Sequence, residues 1–171
     1  MAKPLAVAIS GSPRSPSRSK ALAELALQLI ADRGYDTSLI DLATLPADAL
    51  VARAQSPEME AAIAAVGEAR IVIAATPTYR ALYTGLLKCF FDLMPQGHLT
   101  GKLCVGLQTG IAREHALSPE HGLRPLFASL DGIPAAVLYA RDEEFEDGEP
   151  SEQLRSRLGN ALSGQVGVAG S

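Results

Sequence analysis

"LAVAISGSPRSPSRSKALAELALQLIADRG", residues 5–34, reads as a strand, a loop rich in hydroxyl and guanidinium groups, and a helix. The stretch "LAVAIS" (5–10) is apolar until its last residue, without the polar alternate face of a half-solvated strand. From residue 19 onward Leu and Ala recur at helical spacing, and Gly34 is a good residue just past a helix end. A strand buried on both faces that runs into a helix is half of a βαβ unit. Between the two lie Ser12, Arg14, Ser17, Arg18 and Ser19. Why so much hydrogen-bonding capacity follows an apolar strand is the functional question.

The rest of the chain repeats the pattern. Strands are expected at "TSLIDL" (37–42), "RIVIAATP" (70–77), "KLCVGLQTG" (102–110) and "AAVLYA" (135–140). Helices are expected at "SPEMEAAIAAVGEA" (56–69), with Pro57 at its first position, at "GLLKCFFDLMP" (85–95), at "SPEHGLRPLFASLDG" (118–132) and at "SEQLRSRLGNALSG" (151–164). Gly122 and Pro125 disturb the 118–132 helix. Five βα units predict an α/β domain with a parallel sheet covered on both sides, joined by right-handed crossovers. One domain is expected over residues 1–164, with 165–171 a disordered tail. The acidic stretch "RDEEFEDGEP" (141–150) reads as a solvated loop.

Composition narrows the class. The chain has 171 residues, 47% hydrophobic and 20% charged, as in an ordinary globular domain with a full core. No apolar run approaches the ~18 residues of a membrane span, and the short run at the N-terminus reads as a strand, not a signal peptide. A net charge of -4 argues against a nucleic-acid binder. Cys89 and Cys104 lie in apolar segments, with no CxxC and no Cys/His cluster, so buried thiols in a reducing, cytoplasmic setting are expected and no metal site is.

Doubly wound sheets bind ligands at the carboxyl ends of their strands. The opening loop lies there and leads into a helix N-terminus, which offers free N–H groups and a positive dipole end. Serine hydroxyls and the forked guanidinium of arginine suit a phosphate. The loop lacks G-x-G-x-x-G and Gly-Lys-Ser/Thr, and it has no Cys. That leaves a terminal phosphomonoester such as that of FMN; the alternative is a serine-rich turn with solvated arginines. Two further strand-end loops fit a planar ligand: "TPTYRALYTG" (76–85), with Tyr79 and Tyr83 as planar surfaces, and "QTGIAREH" (108–115), where Gly110 permits close backbone approach.

Together, "GSPRSPSRS", "ATPTYRALYTGLLKCFFDLMP" and "QTG" resemble the NAD(P)H-dependent FMN reductases. The resemblance is nearest to the branch that supplies reduced flavin to alkanesulfonate and methanesulfonate monooxygenases. It runs over nearly the whole chain. It implies a flavodoxin-like three-layer sandwich with strand order 2-1-3-4-5 and a homotetramer. It implies FMN phosphate bound by Ser12, Arg14, Ser17 and Ser19, with Arg18 beside them. It places the flavin ring against Pro77, Thr78, Tyr79 and the Thr109–Gly110 loop, and Arg80 and Ile111 are further candidate cofactor-binding residues. Relatives often have Thr-Gly-Gly after the fourth strand, and Ile111 departs from that. In this branch the fourth helix carries an inserted residue that makes a π-helix at a subunit interface, and His121 falls at that place. As a bare residue, a lone His in a helix such as His121 is most often an ordinary packed or surface residue. His98 and His115 receive no role.

The implied chemistry is hydride transfer from NADPH, or NADH, to FMN, with FMNH2 passed to a flavin-dependent monooxygenase. It requires no catalytic acid, base or nucleophile from the protein. Backbone N–H groups of the 109–112 loop would stabilise charge on the reduced ring. Arg18, Arg80 and Arg113 are candidates for a 2′-phosphate. The rival readings are a quinone or azo reductase with tightly held FMN, and a flavodoxin-type electron carrier. A chain with no Trp and 5% aromatics suits a carrier poorly.

Overall fold

The computed structural model describes residues 2–167. In chain order the elements are β1 (Leu5–Ser10), α1 (Arg18–Ala31), β2 (Asp36–Asp41), α2 (Ala47–Leu50), α3 (Pro57–Glu68), β3 (Ile71–Pro77), α4 (Gly85–Asp92), β4 (Leu103–Gly110), α5 (Ser118–Ala128), β5 (Ile133–Arg141), β6 (Phe145–Glu146), β7 (Glu149–Pro150) and α6 (Glu152–Ser163). β1 to β5 form one parallel sheet in the order β2-β1-β3-β4-β5. This is the flavodoxin-like order, and it reverses between β1 and β3, so the carboxyl ends of those two strands open a crevice.

The strands alternate between two apolar layers. Ala6, Ala8, Ile71, Ile73, Val105 and Leu107 face α1 and α6. Val7, Ile9, Val72 and Ala74 face the layer built from α3, α4 and α5, whose largest buried side chains include Phe90 and Phe127. Small residues let α1 lie close: Ala23 and Ala26 of the helix and Ala6 and Ala8 of the sheet are all fully buried.

Four helices begin on hydroxyl caps. Ser17, Ser56, Thr84 and Ser151 accept hydrogen bonds from the N–H groups of Lys20, Met59, Leu87 and Leu154, at 3.1–3.3 Å. The far end of α3 is closed by the Lys102 ammonium, which donates to the carbonyls of Gly67 (2.6 Å) and Ala69 (3.0 Å). The i,i+4 pair Lys88 and Asp92 forms on α4.

Three expectations change. The acidic stretch is not a bare loop: residues 142–144 make a 3-10 turn, and β6 and β7 pair antiparallel. Asp147 and Gly148 take the left-handed conformation of a two-residue hairpin turn, with φ of 50° and 91°. The first residues of the expected tail are packed: Val166 is buried against the α1–α6 layer and its carbonyl accepts from Arg33 at 2.8 Å. Residues 168–171 lie outside the described residues. Finally, α5 runs through Gly122 and Pro125 without a break. Gly122 is there because a Cβ would lie 2.8 Å from Leu82 Cδ1.

No helix among the described residues is long and apolar enough to cross a membrane. Both cysteines are free, Cys104 buried and Cys89 half-buried. Burial pushes the Cys104 thiol from 9.0 up to about 12. Between those values the unfolded chain loses this proton while the folded chain keeps it. Stability therefore falls as pH rises from about 9, by at most ~1.4 kcal/mol per pH unit from this group. Urea unfolding of wild type and Cys104→Ala at pH 8 and pH 10 should show a shallower alkaline decline in the variant. Equal declines would mean that the thiol ionises within the fold.

Candidate functional site

A cleft of about 420 Å³ opens at the carboxyl ends of β1, β3, β4 and β5. One wall is the loop from β1 into α1: Ser12, Arg14, Ser17, Arg18 and Ser19 all line it. The wall is built locally. Ser12 Oγ accepts from the Arg14 N–H and donates to the Arg14 carbonyl, both at 3.2 Å, which folds the loop back on itself. Ser17 caps α1, and its hydroxyl lies 3.0 Å from that of Ser19. The first turn of α1 holds no acidic residue, and the backbone N–H groups of Arg18 and Ser19 have no intrahelical acceptor. This is an anion cradle.

The loop is pinned from below. Gly11 donates to the Ala75 carbonyl at 2.8 Å, and its own carbonyl accepts from Thr84 Oγ1 at 2.6 Å. A Cβ on Gly11 would come 2.8 Å from Leu87 Cβ. Thr84 thus caps α4 and also holds the start of the loop between β1 and α1.

The opposite wall holds Pro77, Thr78, Tyr79, Thr109, Gly110 and Ile111. Its shape comes from a buried polar hub. Gln108 Nε2 lies 2.9 Å from Thr78 Oγ1 and 2.7 Å from Ser118 Oγ. Those hydroxyls spend their own protons on the carbonyls of Thr109 (2.8 Å) and Ala81 (2.7 Å), so the amide must be the donor to both. Gln108 Oε1 and Ser10 Oγ remain without partners, both buried at strand ends beneath the cleft. Thr109 also accepts from the Thr78 N–H at 2.7 Å, which locks the β3 and β4 loops together. Tyr139 donates to the Ala112 carbonyl at 2.9 Å, and burial raises its phenol, keeping it a protonated donor.

The turn after Tyr79 is strained. Tyr79 and Leu82 exchange backbone hydrogen bonds around Arg80 and Ala81, which have φ of 50° and 66°. Such turns favour Asn-Gly, and a left-handed conformation in Arg and Ala is costly. The bond from Ser118 to Ala81 helps to hold it.

Eleven of the cofactor residues expected from sequence line this one cleft, and Arg80 does not. Arg80 sits exposed at the strained turn. Tyr83 is not a cleft wall either; it packs on the core beside Gly122. His121 is exposed, and its N–H donates to the Leu117 carbonyl four residues back, at 3.1 Å. The helix there is α throughout, so the expected π turn is absent from α5. Three cleft residues escaped the sequence reading, Pro16, His115 and Asp142, while Ala112 belongs to the 109–112 loop already singled out for its backbone. Asp142 follows β5 and pairs with Arg18 at 3.2 Å. The alternation of strands and helices already implied a strand-end loop there, but its acidity pointed to solvent.

A model of the family described as NADPH-dependent FMN reductase matches residues 4–145. The chain belongs to the NADPH-dependent FMN reductase family. It is 35% identical over 165 residues to an NADH-dependent FMN reductase, SfnF, of Pseudomonas fluorescens (strain Pf0-1), covering 92% of this chain and 88% of that one. It is 35% identical over 162 residues to an FMN reductase (NADPH) of Escherichia coli (strain K12), covering 91% and 85%. Among solved structures it is similar to the apo form of NADH:FMN oxidoreductase (EMOB), with a TM-score of 0.86, 34% identity, and 95% of this chain and 88% of that one covered. As a member of this family the chain is an oxidoreductase that uses FMN with a reduced nicotinamide dinucleotide. The cleft of this FMN reductase fits that group. It has an acid-free helix start for a phosphate at one end, and at the other a wall of Pro77, Thr78, Tyr79, Thr109, Gly110 and Ile111. No group of three or more metal-ligating side chains occurs among the described residues.

Proposed function

We propose that this FMN reductase takes FMN and NADPH, or NADH, as two substrates and releases FMNH2 to a flavin-dependent monooxygenase that acts on sulfonates. The observation that carries the reading is the two-walled cleft, with the serines and arginines at the start of α1 on one side and the loops after β3 and β4 on the other. In this reading Ser12, Arg14, Ser17 and Ser19 hold the phosphate, with Arg18 at its side. Pro77, Thr78, Tyr79, Thr109, Gly110 and Ile111 orient the ring. Bound FMN supplies acceptance of a hydride from the reduced nicotinamide at its N5. The protein contributes orientation, and the N–H groups of the 109–112 loop face the charge that develops. No side chain acts as acid, base or nucleophile.

The sulfonate partner rests on the resemblance of the loop motifs to the reductase branch that serves sulfonate monooxygenases, and on nothing within the cleft. Release of the product flavin is supported by the scarcity of aromatics: Tyr79 is the one aromatic side chain of the ring wall, and it is 39% exposed. Assembly as a tetramer in the cytoplasm belongs to the same reading. Exposed Leu82, Ile111 and Leu117 lie in the loops around the cleft and offer apolar surface for a second copy. Steady-state rates with each nicotinamide against FMN, FAD and riboflavin test the activity, and light scattering tests the assembly. Protein that stays yellow through dialysis and reduces quinones faster than free FMN would instead favour the tightly bound flavin reading. A chain that oxidises neither nicotinamide in the presence of FMN would overturn both.

A further inference from the structure

Arg18 and Asp142 meet across the mouth of the cleft. Arg18 opens α1, and Asp142 follows the last residue of β5; Nη1 and Oδ2 are 3.2 Å apart. Both line the same cleft as Ser12, Ser17 and Ser19. A carboxylate therefore stands inside an anion cradle and occupies one of its two guanidinium groups. It is fixed in place by its neighbours. Glu144 accepts from the Arg141 N–H at 2.8 Å and from Arg157 of α6 at 2.6 Å, which ties the turn carrying Asp142 to that helix. The other guanidinium, that of Arg14, has no carboxylate within ion-pair distance among the described residues.

We propose that Asp142 is a built-in competitor of the flavin phosphate: it holds Arg18 and repels the incoming dianion, so that FMN binds as a passing substrate and not as a resident group. The inference rests on the reading that this cleft takes FMN.

Two effects of Asp142 oppose each other. It could orient Arg18 toward the ligand and so help binding. The pair is open to solvent, with side chains 49% and 31% exposed, and such pairs contribute little order. Against that, a phosphomonoester carries about two negative charges near neutral pH. In the same cleft it sits well inside one Debye length of the Asp142 carboxylate, where screening is incomplete. Repulsion falls only as the inverse of distance, and the protein walls lower the effective dielectric. Asp142 meets only Nη1 of Arg18, so the remaining N–H groups stay available, but the carboxylate offsets the positive charge they would offer a phosphate. Repulsion therefore wins, and it acts on charge alone.

The test is flavin-fluorescence titration of the full chain with FMN and with riboflavin, for wild type, Asp142→Asn and Asp142→Ser, at low and high salt. Both variants should bind FMN about tenfold tighter than wild type at low salt, as one charge removed at this range implies. The gain should shrink at high salt, and riboflavin affinity should not move. FMN binding that is unchanged or weaker in both variants overturns the inference, and weaker binding would show that Asp142 orients Arg18. An equal gain for riboflavin overturns it as well. If wild type binds neither flavin, the FMN reading has failed and the inference falls with it. If wild type binds FMN and neither variant tightens, only the inference fails.

Discussion

Arg14→Ala should weaken FMN binding by about 1.5–3 kcal/mol, the usual worth of a hydrogen bond to a charged group, and leave riboflavin nearly unaffected. The structure singles out Arg14 over Arg18 for this test. Arg18 is already engaged by Asp142 at 3.2 Å, whereas Arg14 lines the cleft without such a partner among the described residues. Its position is set by backbone, not by its own side chain: both the N–H and the carbonyl of Arg14 bond to Ser12 Oγ. Removing the guanidinium should therefore leave the loop folded. Riboflavin has the ring but not the phosphate, so the ratio of the two dissociation constants isolates the phosphate end. Equal losses for both flavins would mean that the phosphate lies elsewhere.

Gly110→Ala should do the opposite and weaken FMN and riboflavin alike. The new Cβ would lie 2.5 Å from Tyr139 Oη and 2.9 Å from Thr78 Oγ1. Neither atom can yield cheaply. Tyr139 is bonded to the Ala112 carbonyl, and Thr78 is bonded to both Thr109 and Gln108. Relief requires the 109–112 loop to move, and overpacking of this kind costs about 1–3 kcal/mol. The loss should appear in both flavin dissociation constants and in a lower thermal midpoint. An alanine variant that binds both flavins as wild type does would show that this loop makes no ring contact. Run beside Arg14→Ala, it separates the two ends of the cleft.

Most of the sheet was legible along the chain. "LAVAIS" and "RIVIAATP" are apolar on both faces, which only a doubly covered parallel strand needs, and Ser56 and Ser151 stand where helices begin. The strand order came from the family resemblance, and the structure has it. That Ser12, Arg14, Ser17, Arg18 and Ser19 share one cleft wall was legible for a local reason: strand, loop and helix N-terminus are consecutive in sequence. The hairpin at Phe145–Pro150 carried its own signal in Asp147-Gly148, but it was hidden by the surrounding charge.

What the sequence by itself determined is therefore what short-range physics sets: apolar period, cap residues, and a loop feeding a helix start. Only the tertiary structure decided the rest. It turned Tyr83 into the core against Gly122, kept α5 a regular helix at His121, and closed the strained turn at Arg80 and Ala81 through Ser118. It also brought Asp142 to Arg18 across 124 residues of chain. Each of these depends on a partner supplied by a distant segment. A hydrogen bond or a close approach between segments has no periodicity to read, because its energy exists only once the sheet has placed the strand ends side by side.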